Sequence, residues 1–145
     1  MKKELQNKLF EKYPKIFRQK DLPKQETCMC WGFQCGDGWY DLIDTLCSCI
    51  QRRVDYKGGN QVEATQVKTK FGGLRFYTDC VDDAFILGLI RMTEAMSYNI
   101  KEWTPKEKFL DKVNQVIDRH EKTFEKLDED SARNDWDVTS SGEKK

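Results

Sequence analysis

Histidine is almost missing from this chain: His120 is the only one. A catalytic triad or a histidine-based metal site needs positioned partners, and none is spaced for it here, so His120 reads as a packing residue. No apolar run approaches the roughly eighteen residues that a membrane span needs. The opening residues, Met1 to Asn7, lack the apolar stretch of a signal peptide. That predicts a cytoplasmic location, with the six cysteines held as reduced thiols. Paired CxxC knuckles, the usual source of four zinc ligands, are lacking too. Cys28-x-Cys30-x4-Cys35 and Cys47-x-Cys49 give at most half-sites, and the simpler reading is small buried core residues. No metal or other cofactor is therefore assigned. Gly36-Asp37-Gly38 lacks the Lys-Ser/Thr ending of a phosphate loop. There is no RNP-type motif, and the net charge is zero.

What remains is an ordinary globular composition. A chain of 145 residues makes one domain by size, and 12% aromatic residues argue against global disorder. The neutral charge is unevenly spread. Residues 1–25 carry eight cations against three acids, and residues 125–138 carry six acids against two cations. The pattern predicts a basic face and an acidic tail.

The stretch from Cys28 to Leu46 organises the rest. Alternation predicts a strand with Met29, Trp31 and Phe33 facing the core and Cys28 and Cys30 facing away. Gly36-Asp37-Gly38 then turns the chain, with Asp37 as helix cap. A helix follows from about Trp39 to Val54, its apolar face formed by Trp39, Leu42, Ile43, Leu46 and Ile50. Asp37, Asp41 and Asp44 share the other face, where acids near a helix N-terminus need no functional explanation.

Upstream, residues 2–13 form a helix by the spacing of Leu5, Leu9 and Tyr13, and Ile16 and Phe17 belong to the core. Downstream, Asp55 to Asn60 is a loop. A strand spans Gln61 to Phe71, with a phase slip near Thr65-Gln66 that predicts a β-bulge. Gly72-Gly73 turns into a return strand, Leu74 to Asp79. A helix from about Asp82 to Ser97 carries Phe85, Ile86, Leu89, Met92, Thr93 and Met96 in phase. Thr104-Pro-Lys-Glu107 is a capping box that opens a last helix running to about Leu127. Its apolar seam packs on the core or, alternatively, forms a homodimer.

These elements predict an α+β fold: a three-stranded antiparallel sheet packed by helices, in one domain over residues 1–128, with a disordered tail at 129–145. The candidate contact surface is the basic hairpin, Lys68, Lys70, Arg75 and Tyr77, joined by Arg52 and Arg53. Cations hold phosphates and aromatics stack bases; the plain alternative is a solvated sheet face. No catalytic residue is assigned, and a non-enzymatic protein is expected.

Residues 28–47 (CMCWGFQCGDGWYDLIDTLC), residues 66–77 (QVKTKFGGLRFY) and residues 9–17 (LFEKYPKIF) resemble a family of small phage and prophage proteins of mostly unknown function. The resemblance covers roughly residues 5–97. Many members continue into a Cys-rich zinc-ribbon tail, whereas no cysteine follows Cys80 here. The resemblance implies an anti-CRISPR-like anti-defence protein in the cytoplasm of an infected bacterium. Its partner would be a defence nuclease or that nuclease's guide-RNA complex, with RNA touched directly or not. The alternative it leaves open is a metal-linked nucleic-acid-binding accessory protein.

Overall fold

A computed structural model of the chain describes residues 1–79, 81–103, 106, 108–110 and 112–119. The chain divides into two compact units, Met1–Thr104 and Pro105–Lys145. In the first unit the elements run α1 (Lys3–Lys12), β1 (Phe33–Gln34), α2 (Tyr40–Lys57), β2 (Ala64–Lys70), β3 (Gly73–Thr78) and α3 (Ala84–Ser97). Short 3-10 turns occupy Arg18–Asp21, Met29–Trp31 and Asp37–Trp39.

The α+β class is as expected, but the sheet is mixed. Its order is β1-β2-β3, with β1 parallel to β2 and β2 antiparallel to β3. The strand expected from Cys28 is corrected to two residues. Residues 29–31 coil into a 3-10 turn, and Gly32 takes a φ of +70° before the chain straightens at Phe33. Met29 and Phe33 are buried as expected, but Trp31 is 62% exposed. The β-bulge is present between Ala64 and Gln66.

The hairpin turns one residue earlier than expected. Phe71 (φ +52°) and Gly72 (φ +77°) are its two central residues, meeting the positive-φ requirement of a type I′ turn. Gly73 instead pairs with Lys70 in the strand. A side chain there would meet the ring of Tyr98, whose Oη would lie 2.6 Å from a Cβ.

One side of the sheet carries the core. Phe17 packs on Phe33 (centroids 5.0 Å apart) and on Phe76 (6.4 Å), and Phe10 stacks on Phe33 at 5.3 Å. Around them lie Leu9, Ile16, Trp39, Ile43, Leu46, Ile50, Val67 and Leu74, all essentially inaccessible. The apolar face read for α2 is thus the buried one, with Leu42 only half-buried. The helix outruns its expected end at Val54 and stops at Gly58, whose φ of +68° gives the left-handed cap that glycine adopts without strain.

α3 is rotated from the expected phase. Ile86 and Thr93 are buried as expected, but Ile90 and Ser97 join them, whereas Phe85, Met92 and Met96 are about half exposed. The reason is the open edge of β3. Ser97 Oγ accepts from Leu74 N at 2.8 Å, and Glu94 Oε1 accepts from Phe76 N at 2.9 Å. Two unpaired strand donors are met by α3, which keeps the edge from pairing elsewhere. The start of α3 is capped by Asp83, which accepts from Phe85 N at 2.9 Å.

The glycine corner has a different role from the helix cap assigned to it. Asp37 makes no cap to α2; it accepts from Lys2 N at 2.7 Å. Residues 100–103 close over the corner instead. Gly36 N donates to Glu102 Oε1 at 3.0 Å, Gly38 N to Glu102 O at 2.9 Å, and the Trp39 indole to Ile100 O at 2.9 Å. The Met1 ammonium donates to Cys35 O.

In the second unit, residues 106, 108–110 and 112–119 have helical backbone, with Phe109, Val113, Val116 and Ile117 exposed. The continuous helix to Leu127 is not shown. The capping box at Thr104, Pro105 and Glu107, together with His120, Phe124 and the expected tail at 129–145, lies outside the described residues. Among the described residues no helix is long and apolar enough to cross a membrane.

Candidate functional site

Register decides which hairpin residues meet. Residues directly opposite in a sheet share a face. Lys68 faces Arg75, Gln66 faces Tyr77, and Gln34 of β1 faces Lys68. With Lys70 two residues beyond Lys68, these side chains occupy the face opposite Phe33, Val67 and Phe76. Four of the six expected contact residues, Lys68, Lys70, Arg75 and Tyr77, are therefore brought together. The bulge makes this work: it slips the phase so that Gln66, Lys68 and Lys70 face outward after buried Ala64.

The face is cationic at close range. Like charges directly opposite each other destabilise a sheet, yet Lys68 and Arg75 stand so. Neither Lys68 nor Lys70 has an ion-pair partner among the described residues. Arg75 donates to Leu74 O at 2.8 Å and to the Tyr98 hydroxyl at 3.2 Å. The Tyr98 hydrogen bond raises the pKa of Arg75, a group charged at any ordinary pH, and fixes where its guanidinium lies beside the sheet. Gln66 and Gln34 are joined by a 3.1 Å side-chain hydrogen bond.

At one end of this face lies an open groove of about 470 Å³, bordered by Lys24, Glu26, Thr27, Gln66 and Tyr77. At the other end Lys70 Nζ lies 5.6 Å from the Phe71 ring centroid. The sequence reading missed Gln34, Gln66 and the 24–27 border. The parallel pairing of a two-residue strand and the approach of a loop leave no periodic signal.

Arg52 and Arg53 belong to other places. Arg53 Nε donates to Asp83 Oδ2 at 2.8 Å, and its guanidinium lies 4.8 Å from the Phe85 ring. It ties α2 to the start of α3 and holds the Asp83 carboxyl below its ordinary pKa. Arg52 lines a separate cleft with Lys12, Tyr13, Gln51, Asp55 and Tyr56.

The acids and thiols are spread out. Asp44 accepts from Lys12 at 2.9 Å and from the Tyr13 hydroxyl at 2.6 Å. Partial burial pushes the Asp44 carboxyl up, but these hydrogen bonds outweigh it and hold its pKa low. Burial, aided by Asp44, pushes Tyr13 to about 12. Burial likewise drives the Cys35 thiol to about 12 and raises Cys47 well above its ordinary value. Both are poor thiolate ligands as placed. Cys28 is exposed and Cys30 donates to Thr27 O at 3.3 Å. Among the described residues no cluster of three or more His, Cys, Asp or Glu is placed to hold a metal; Cys80 lies outside them.

Comparison with protein-family models, with curated proteins and with solved structures gives no match.

Proposed function

We propose that this is a non-catalytic binding protein of phage origin that acts on a bacterial nucleoprotein through the outer face of its sheet. The target class is an RNA-guided defence nuclease or its guide-RNA complex, as the phage-family resemblance implies. The observation that carries the reading is the juxtaposition of Lys68, Lys70, Arg75 and Tyr77 on one face, with two lysines lacking ion-pair partners among the described residues. Opposed cations cost stability in the free protein, and an anionic partner removes that cost. Asp37 and Asp44 are engaged by Lys2 and by Lys12 and Tyr13, which suits structural rather than acid–base work. The metal-linked accessory reading has less support, because Cys35 and Cys47 are sealed in the core as thiols.

The test is affinity capture of the full chain from bacterial lysate, with and without RNase, compared with the triple variant Lys68→Glu, Lys70→Glu, Arg75→Glu. The variant should lose its defence-nuclease partner while melting within a few degrees of the parent. Unchanged capture of that partner rejects this face as the contact.

A further inference from the structure

We propose that the outer sheet face is a track for single-stranded nucleic acid, with Phe71 and Tyr77 as stacking platforms at its two ends; the proposal rests on the binding reading above and names its ligand. Phe71 is the starting observation. It is the one non-glycine residue with positive φ among the described residues, and it is 87% exposed. Asn or Gly takes that turn position with less strain, and a phenyl ring there gains no burial. Backbone strain combined with an exposed ring points to a contact outside the chain.

The rest of the track follows from the register. From Phe71 back along β2, Lys70 and Lys68 recur at a spacing of about 7 Å. Arg75 stands opposite Lys68, and Tyr77, 40% exposed, stands opposite Gln66. Gln66 to Phe71 spans about 17 Å of extended chain. A row of cations with an exposed ring at each end suits an extended single strand, whose phosphates lie on the cations and whose unpaired bases stack on the rings. A duplex keeps its bases stacked on one another and offers the rings nothing.

The groove beside Tyr77 refines the assignment. It carries Glu26 as well as Lys24. A carboxylate repels phosphate but accepts from the N–H groups of a base edge. The groove therefore takes a base against Tyr77, and the phosphates run toward Lys68, Arg75 and Lys70.

The experiment is fluorescence anisotropy of the full chain with labelled single-stranded RNA, single-stranded DNA and duplex DNA, alongside thermal melting. Both single strands should bind more tightly than duplex, more weakly as salt rises. Phe71→Asn should raise the melting temperature by a few degrees yet weaken single-strand binding about tenfold. Tyr77→Ala should weaken it about tenfold as well, with Tyr77→Phe close to the parent. If Phe71→Asn stabilises the protein and leaves binding unchanged, the ring is only a strained turn residue and the proposal fails. If the parent binds no single strand even at low salt, the proposal also fails. RNase-resistant capture that the triple charge variant abolishes would then leave the broader binding reading standing.

Discussion

A methyl group on Gly38 would run into the carbonyl oxygens of Lys101 and Glu102, and one on Gly36 would lie 2.6 Å from the Trp103 ring. Backbone cannot step aside as a flexible side chain can, so Gly38→Ala should destabilise the protein by about 2 kcal/mol or more, within the range for overpacking; urea unfolding measures it. Both glycines were legible as punctuation. The reason they are glycines was not, because the segment that seats on them lies more than sixty residues later. Cys35 gives a second prediction at this scale. Burial raises its pKa from 9.0 to about 12, so the fold favours the thiol, and that contribution is complete below about pH 9. It is lost as pH rises from there toward 12, and Tyr13, raised from 10.0 to about 12, adds to the loss. Urea midpoints under reducing conditions should therefore fall above about pH 9, and less steeply in Cys35→Ala.

Helix α3 and strand β3 settle their relation through side chain to backbone hydrogen bonds rather than through apolar phase alone. Ser97→Ala would strip the partner from Leu74 N, a buried donor, at a cost of about 1–3 kcal/mol. Ser97→Thr, which keeps the hydroxyl, should recover part of it in the same urea titration. This is why the phase of α3 was misread in part: Ser97 looks polar and sits inside, while Phe85, Met92 and Met96 look apolar and sit about half outside. Helix α2 was legible because a single stripe from Trp39 to Ile50 does its packing. The hairpin was legible because its bulge showed as a phase slip. Strand β1 was not: two residues carry no period, and its start is set by Gly32 and by Gln6, whose Oε1 accepts from Phe33 N at 3.0 Å.

Across the whole chain, a net charge of zero hides a local excess of cations on one sheet face. Four members of the candidate site could be read from strand alternation. Arg52 and Arg53 could not be excluded by the same means, since neighbours in sequence on α2 part ways in space, one to Asp83 and one to a cleft with Lys12. The candidate surface is thus a property of register, and a variant that moved the bulge by one residue would scatter its residues without altering the composition. The glycine corner has another consequence, for the order of events during synthesis. Residues 33–39 leave the ribosome early, but the carbonyls of Ile100 and Glu102 that complete their hydrogen bonds are made some sixty residues later. Until then the Trp39 indole and the Gly38 amide keep water as their partner, so this corner cannot close before residues 100–102 have been made.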